Sequence, residues 1–231
     1  MKIKYGMILA AGLGKRMQPI TLKTPKPLIQ IGDKNLLDRA ICFLINYGVD
    51  EIVINVHYLA DQIKNFINKK KYKTKITIFH EQEMLLNTGG GVLNATKSFK
   101  EPFVVVNPDT LWSNAYLSEL RDLENLYFQY KKTCLLLVNK NLSFDSSFKG
   151  DFNLQEGVVS RDNDNELIFT GLQILDHSVF SSTKDKVFSM NNIWNKLIAN
   201  NSLNGMESNQ KFYHLNTKEI YDKILSLNIT D

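Results

Sequence analysis

Short apolar runs rich in β-branched residues alternate with segments of helical periodicity over residues 1–140. A continuous apolar run predicts a buried strand, whereas apolar residues spaced three and four apart predict an amphipathic helix. On this basis we expect strands at 4–9, 51–56, 75–79, 103–106 and 133–138. The helices expected between them lie at 36–47, 61–67, 91–98 and 116–130. Such alternation predicts right-handed βαβ units, and therefore an α/β fold with a Rossmann-like, doubly wound, mostly parallel sheet.

The pattern changes after residue 140, where short apolar stretches follow one another without long helices between them. We expect short strands at 150–154, 158–159, 167–169 and 172–175. Helices are expected near the end of the chain, at 193–198 and 217–227. We interpret this part as a small extension of the same sheet. The sequence therefore predicts one domain over 1–231, with halves at 1–140 and 141–231.

The composition is that of an ordinary globular chain, with 43% hydrophobic and 23% charged residues. The formal net charge of +4 is too small to indicate a nucleic-acid partner. No apolar run is long enough to span a bilayer, so no membrane partner is expected. Cys42 and Cys134 lie in apolar stretches, which favours buried thiols in a reducing compartment. We therefore expect a cytoplasmic protein, either a monomer or a homodimer.

A loop of small and basic residues directly follows the first expected strand. Its sequence is Ala10-Ala11-Gly12-Leu13-Gly14-Lys15-Arg16. Small residues let backbone amides approach phosphate oxygens, and Lys15 and Arg16 add positive charge. The spacing matches neither the P-loop nor the dinucleotide fingerprint. The loop is a candidate phosphate-binding loop, and the alternative is an ordinary turn with solvated charges.

A lysine held between two prolines follows shortly afterwards, in Thr24-Pro25-Lys26-Pro27-Leu28. The two prolines fix the backbone on both sides of Lys26 and so orient its ammonium group in advance. Because the loop of small and basic residues is close by in the sequence, we favour a lysine directed at phosphate. The alternative is a rigid surface turn that carries an incidental lysine.

Two more segments are candidates for ligand binding, one directly after an expected strand and one at the start of an expected helix. Asp109, in Asn107-Pro108-Asp109-Thr110, comes directly after the strand at 103–106. Ligands of open α/β sheets bind at the carboxyl ends of strands, where a carboxylate can hold Mg²⁺ against substrate phosphates. Asp109 as a simple turn or helix cap is the alternative. Thr88-Gly89-Gly90-Gly91 offers close backbone approach to a flat ring or a phosphate, or else a flexible helix entry.

Taken together and in this order, these segments resemble the N-terminal signature of the sugar-1-phosphate nucleotidyltransferases. The resemblance is densest at 7–21 and 24–28, and it continues through 88–91, 107–109, 148–152 and 169–175. In detail the chain is similar to the compact N-acetylmuramate-1-phosphate uridylyltransferases and to short mannose-1-phosphate guanylyltransferase-like members. The resemblance implies a GT-A-like nucleotidyltransferase fold. It also implies Mg²⁺-dependent transfer of a nucleoside monophosphate from an NTP to a sugar 1-phosphate, giving a nucleotide sugar and pyrophosphate.

The resemblance also implies roles for individual residues. Backbone or side-chain contacts to the nucleotide would come from Ala10, Ala11, Gly12, Gly14, Lys15, Thr88, Gly89 and Gly90. Arg16 would bind the β- and γ-phosphates, Lys26 the phosphates around the reacting centre, and Asp109 the Mg²⁺. The sugar side would be lined by Asp151, Thr170 and Gly171. Residues 1–140 then form the nucleotide-binding half and 141–231 the acceptor-binding half.

The chain departs from the family pattern near its end, where a second metal-ligating aspartate is usual. His214 occupies that aspartate position, and Asn216 occupies the position of a glycine. Neutral imidazole is a poor Mg²⁺ ligand compared with carboxylate. Either Asp109 and phosphates alone hold the metal, or the activity is altered. An alternative is therefore that the chain is a regulatory homologue, which binds nucleotide sugars but does not catalyse the transfer.

A second alternative is a phosphocholine cytidylyltransferase, because the resemblance in the N-terminal loop extends to such enzymes. Their quaternary ammonium substrate requires an aromatic cage. Trp112, Trp194 and Tyr213 are the residues that could contribute to one.

Overall fold

The computed structural model describes residues 2–227, which form eleven strands and six α-helices. The helices are α1 (Leu36–Tyr47), α2 (Ala60–Lys70), α3 (Asn87–Ala95), α4 (Tyr116–Tyr130), α5 (Met190–Ala199) and α6 (Lys218–Leu225). The strands are β1 (Tyr5–Leu9), β2 (Gln30–Ile31), β3 (Lys34–Asn35), β4 (Glu51–Val56), β5 (Lys75–His80), β6 (Phe103–Val106), β7 (Thr133–Asn139), β8 (Asn153–Gln155), β9 (Val158–Ser160), β10 (Leu167–Leu175) and β11 (Leu203–Ser208).

Nine of these strands form one sheet in the order β5-β4-β1-β6-β10-β7-β11-β9-β8, and β2 and β3 form a separate hairpin. The strands β5, β4, β1 and β6 run parallel to one another, as the strand–helix alternation predicts. Strand β10 then lies antiparallel between β6 and β7. The prediction of an α/β, doubly wound fold is confirmed, and strands from both halves of the chain share the one sheet.

Helices cover both faces of the sheet, because neighbouring residues of its buried strands point to opposite sides. In β1, Ile8 packs into the apolar layer beneath α1, α2 and α4, where Leu44 and Leu120 also lie. Met7 packs on the other face, with Val92 of α3 and Ile193 of α5. No α-helix among residues 2–227 is long and apolar enough to cross a membrane.

Several elements differ from the expectations, among them the unexpected β2–β3 hairpin and β8, which begins at Asn153 and not at residue 150. Helix α3 begins at Asn87, so the glycines at 89–91 lie inside it and not before it. The strands expected at 167–169 and 172–175 are one strand, β10, with a register irregularity between Phe169 and Leu172. Strand β11 was not expected, because polar residues and a glycine interrupt its apolar pattern. It pairs in parallel with β7 over its whole length, so tertiary pairing decides its conformation.

Candidate active site

A cavity of about 230 Å³ opens where β1, β4 and β6 end, and we call it the first cavity. Its lining comes from the segments that follow these strands, from the proline-flanked lysine and from the start of α3. The lining residues are Leu9, Ala10, Ala11, Gly12, Lys26, Pro27, Leu36, Asn55, Leu85, Asn87, Thr88, Asn107, Pro108 and Asp109. The strand-end rule applied to the sequence therefore locates this cavity correctly.

The loop after β1 presents backbone to the first cavity and two cations to solvent. A Cβ added at Gly12 would meet no atom within 4 Å, so this part of the loop is open. Gly14 has φ +63°, a left-handed conformation that favours glycine, and it turns the chain into a short 3₁₀ helix, Lys15–Met17. Lys15 and Arg16 are exposed, and no residue among 2–227 pairs with either of them. Both cations are thus available to an anionic ligand.

Two buried polar side chains support this loop, and the sequence analysis missed both. The backbone N–H of Ala10 donates to Asn55 Oδ1 at 2.9 Å, and Asn55 Nδ2 donates to Glu81 Oε1 at 2.7 Å. The other oxygen of Glu81 accepts from the backbone N–H of Leu86 at 2.8 Å. A hydrogen-bonded chain therefore ties the loop after β1 to the segment that begins α3. The one sequence signal was a polar residue, Asn55, inside an otherwise apolar strand.

Replacing Asn55 with alanine is expected to destabilise the protein by about 1–3 kcal/mol, because the buried Glu81 carboxylate and the Ala10 amide each lose a partner. Urea unfolding of the purified chain measures this. Asn46→Ala is the matched control, since Asn46 is exposed and bonds only to Asn114 in the described part of the chain. An Asn55 variant that unfolds at the same urea concentration as the Asn46 variant would contradict the supporting role.

The glycines of α3 are explained by close packing inside the protein. Gly89 and Gly90 are buried, and their N–H groups donate to the carbonyl of Phe188 at 2.9 and 3.1 Å. A Cβ at Gly89 would lie 2.4 Å from the Phe188 ring, and one at Gly90 would lie 2.2 Å from the carbonyl oxygen of Lys186. Thr88 lines the first cavity, whereas Gly89 and Gly90 do not. Their contact with the nucleotide base stays a prediction.

Asp109 lies between two nitrogen groups on the floor of the first cavity. Lys26 Nζ is 2.6 Å from Asp109 Oδ2, and His214 Nε2 is 3.2 Å from the same oxygen. The other carboxylate oxygen, Oδ1, is buried without a hydrogen-bond partner. Burial by itself would raise the pKa of Asp109, but the charges of Lys26 and His214 hold it well below its usual value. The carboxylate is therefore ionised at neutral pH.

Thr170 and Gly171 hold the segment that carries Asp109. The hydroxyl of Thr110 donates to the carbonyl of Thr170 at 2.6 Å, and the N–H of Asn107 donates to that of Gly171 at 2.8 Å. Gly171 has φ +92°, and a Cβ there would lie 2.8 Å from the Asn107 side chain. The family resemblance implies that Thr170 and Gly171 line the sugar side. They lie beneath the Asp109 segment instead, and their contact with a sugar stays a prediction.

The donor groups around Asp109 decide whether Mg²⁺ fits. Among residues 2–227, no cluster of three or more His, Cys, Asp and Glu side chains could enclose a metal. Mg²⁺, however, commonly binds to one or two carboxylates and completes its shell with substrate phosphates and water. The partnerless Oδ1 of Asp109 suits such a ligand, and His214 offers only a less suitable nitrogen. The residues present fit an ion shared between Asp109 and a bound phosphate.

A second cavity of about 190 Å³ adjoins the first on the side of β10 and α5. Its lining is aromatic with a few polar groups: Phe148, Asp151, Phe152, Arg161, Ile168, Phe169, Asn191, Trp194, Phe212 and His214. His214 lines this cavity and also contacts Asp109, which lines the first one. The two cavities therefore meet at the His214–Asp109 pair. Asp151, expected on the sugar side, lies in this second cavity.

The three aromatic residues named for a quaternary ammonium cage do not share one cavity, because Trp112 and Tyr213 line a separate cavity beside α1 and Trp194 lines the second cavity. Trp112 is buried, stacks on Phe43 at 5.2 Å and donates its Nε1–H to the Asn107 carbonyl. Tyr213 packs against Phe144. Trp194 lines the second cavity, but the other two do not.

Comparison with known proteins decides the family. The family model described as nucleotidyl transferase matches residues 5–143. The chain belongs to this family. N-acetylmuramate alpha-1-phosphate uridylyltransferase of Caulobacter vibrioides is 29% identical over 92% of the chain and 91% of that protein. The Neisseria meningitidis protein of the same name is 33% identical over 75% of the chain and 76% of its own length.

A third relative acts on a different sugar and base. D-glycero-alpha-D-manno-heptose 1-phosphate guanylyltransferase of Campylobacter jejuni is 30% identical over 78% of this nucleotidyltransferase and 76% of its own length. The crystal structure of HddC from Yersinia pseudotuberculosis complexed with GMP-PN superposes with a TM-score of 0.78, covering 97% of the chain and 99% of HddC at 22% identity. The relatives identify the chain as a sugar-1-phosphate nucleotidyltransferase, and the structural match supports the fold.

Proposed function

We propose that this nucleotidyltransferase uses Arg16, Lys26 and Asp109 to transfer a nucleoside monophosphate from an NTP to a sugar 1-phosphate, with release of pyrophosphate. The observation that carries the assignment of these residues is the position of the Lys26–Asp109 pair. Both side chains line the first cavity, and the pair is joined to the second cavity through His214. The nucleotide would occupy the first cavity and the sugar the second, so the reacting phosphates would meet beside this pair.

Catalysis of this reaction requires alignment and charge neutralisation, and it does not require a protein nucleophile. The phosphate oxygen of the acceptor attacks the α-phosphorus in line, and pyrophosphate leaves. Lys15 and Arg16 would hold the departing phosphates, while Lys26 would neutralise charge at the reacting centre. Backbone amides of Ala10, Ala11 and Gly12 would approach the phosphates from the loop after β1. Tethering of Ala10 to Asn55 keeps this loop in place before the substrate arrives.

We further propose Mg²⁺ as the cofactor, held by Asp109 and the substrate phosphates. When bound there, the ion would neutralise phosphate charge and help to align the phosphates. Because Lys26 Nζ contacts Oδ2 of Asp109, Oδ1 is the oxygen available to the ion. His214 supports the Asp109 side chain from the second cavity, whichever atoms complete the coordination shell.

The base and the sugar are tested by a matrix of reactions. Purified full-length protein would be incubated with each of four NTPs and with N-acetylmuramate, heptose, mannose or glucose 1-phosphate, or phosphocholine, and pyrophosphate release measured. We expect pyrophosphate release when Mg²⁺, an NTP and a sugar 1-phosphate are all present. Turnover of phosphocholine but of no sugar 1-phosphate would support a phosphocholine cytidylyltransferase. If the protein binds nucleotide sugars but releases no pyrophosphate with any substrate pair, the result would support a regulatory homologue.

The Arg16→Met variant is expected to raise KM for the NTP about ten- to a hundredfold with little change in folding stability. Removing a charge-assisted phosphate contact costs about 1.5–3 kcal/mol of binding, whereas Arg16 has no protein partner in the described residues to lose. Steady-state pyrophosphate release and a thermal melt measure the two quantities. Arg121→Met is the control, since Arg121 is an exposed residue of α4. An unchanged KM would remove Arg16 from the phosphate site.

We also propose that the chain acts in the cytoplasm. It would form one nucleotidyltransferase domain over 1–231, in which residues 1–140 bind the nucleotide and residues 141–231 bind the acceptor. A monomer or a homodimer is expected. Sedimentation of the purified chain would report the oligomeric state.

A further inference from the structure

Helix α5 forms part of the wall of the second cavity, but its first residue is attached to the wall of the first cavity. The backbone N–H of Met190, where α5 begins, donates to the hydroxyl oxygen of Thr88 at 2.9 Å. Thr88 lines the first cavity, and Met190 is buried. This hydrogen bond therefore joins a residue on the proposed nucleotide side to the helix on the proposed acceptor side.

The segment that leads into α5 lies directly on the start of α3. The carbonyl of Phe188 accepts the N–H groups of Gly89 and Gly90 at 2.9 and 3.1 Å. A Cβ added at Gly89 would lie 2.4 Å from the Phe188 ring, so the absence of a side chain allows this close approach. The contact brings the beginning of α5 to the side chain of Thr88.

Thr88 supplies a hydrogen-bond acceptor that α5 cannot supply itself. The first N–H groups of a helix have no partner within that helix. Ser189, the N-cap residue, accepts from the N–H of Asn191 at 3.2 Å, and Thr88 accepts from the N–H of Met190. The bond to Thr88 comes from a distant part of the chain, so it places the first turn of α5 relative to α3.

The side chains of α5 build one wall of the second cavity. Asn191 and Trp194 line this cavity, and Asn191 Oδ1 also accepts from Arg161 Nη2 at 2.9 Å. Trp194 donates its indole N–H to Gln173 Oε1 at 3.0 Å and meets the ring of Phe169 edge-on at 4.9 Å. A small displacement of α5 would therefore change both the shape of the cavity and the position of its polar groups.

We propose that Thr88 is a positioning residue for the acceptor, because it accepts the N–H of Met190 and so keeps α5 in the place that the acceptor requires. This inference rests on the proposed function, since it assumes that the second cavity receives the sugar 1-phosphate. Thr88 lines the first cavity and not the second, so its effect on the acceptor passes through α5. Loss of this hydrogen bond weakens the binding of the substrate that lies in the other cavity.

The first test removes the N–H of Met190 and leaves Thr88 unchanged. Proline has no N–H and is favoured at the first position of a helix. Ser189 before it has φ −83° and ψ 149°, the extended conformation that a following proline favours. Met190→Ala is the matched control, since it loses the same buried side chain but keeps the N–H.

Pyrophosphate release by the purified full-length chain with Mg²⁺ gives KM for each substrate. UTP with N-acetylmuramate 1-phosphate is the first pair, and the other NTP and sugar 1-phosphate pairs of the matrix follow. Relative to Met190→Ala, we expect Met190→Pro to raise KM for the sugar 1-phosphate about tenfold, since one hydrogen bond that places α5 is lost. KM for the NTP should stay close to that of the control.

A second pair of variants changes the other partner of the same hydrogen bond. Thr88→Val keeps the shape of the side chain but loses the hydroxyl, whereas Thr88→Ser keeps the hydroxyl. KM for the sugar 1-phosphate should rise in Thr88→Val and return towards the wild-type value in Thr88→Ser. Thermal melts show whether each variant is folded, and if Met190→Pro does not fold, the two Thr88 variants decide the matter.

Three results would overturn the inference. The first is the same KM for the sugar 1-phosphate in Met190→Pro and Met190→Ala. The second is an equal rise of KM for both substrates, which would indicate a general loss of structure, and the third is a rise confined to the NTP. No release by the wild-type protein with any substrate pair would overturn the proposed function itself, and the inference with it.

Discussion

The Asp109→Ala variant is expected to lose pyrophosphate release by a factor of about a thousand or more, because the one carboxylate that faces the first cavity beside Lys26 is removed. Its partnerless Oδ1 is the oxygen that suits a metal shared with substrate phosphate. Without this carboxylate the metal is not held, so only side-chain cations oppose the repulsion between the two anionic substrates. Steady-state release at saturating Mg²⁺ measures the loss.

The controls for Asp109 distinguish a chemical role from a structural one. Asp109→Asn keeps the shape and a neutral oxygen, so it should lose most of the activity with a smaller change in melting temperature. Asp122→Ala, an exposed carboxylate of α4, should change neither quantity. Near-normal Mg²⁺-dependent release by the folded Asp109→Ala variant would refute the metal assignment.

The sequence predicts which segments line the first cavity where one local pattern carries the information. A buried strand followed by a polar turn puts Asp109 at the edge of the sheet, and the same rule applies to the loop after β1. The two prolines that flank Lys26 fix the backbone around one ammonium group. Local patterns therefore indicate where the chemistry lies, even without knowledge of distant contacts.

What the sequence does not reveal depends on contacts between distant segments. Lys26 and Asp109 are 83 residues apart in the chain, and no periodicity predicts that their side chains meet. Asn55 lies in an apolar strand, where its support of the Ala10 amide is visible only once Glu81 is placed beside it. The close approach of the segment at 186–188 to Gly89 and Gly90 likewise cannot be inferred from local sequence.

Arg161 illustrates the same limit in the wall of the second cavity. In the sequence it is one basic residue before an acidic turn, a pattern typical of a solvated loop. Its contacts become apparent only when α5 supplies Asn191 and Asn195 as hydrogen-bond partners.

Replacing Lys26 with methionine is expected to lower kcat/KM about a hundred- to a thousandfold, because a positioned cation at the reacting centre is lost. The variant should also be less stable by about 1–3 kcal/mol in the absence of substrate, since the partly buried Asp109 carboxylate loses its 2.6 Å partner. The two effects have one cause, and Mg²⁺ with NTP should restore part of the lost stability by supplying positive charge to Asp109.

A comparison with a neighbouring lysine isolates this effect. Lys23→Met removes an exposed ammonium three residues earlier and should leave both activity and unfolding midpoint close to those of the wild type. Lys26→Arg should recover stability more than turnover, because the larger planar cation can pair with Asp109 but cannot take the same position between two prolines. The ion pair would be shown to be structural alone if Lys26→Met lost stability and kept its turnover. If Lys26→Met instead lost turnover and kept its stability, the Lys26–Asp109 ion pair would not contribute to the folded protein in solution.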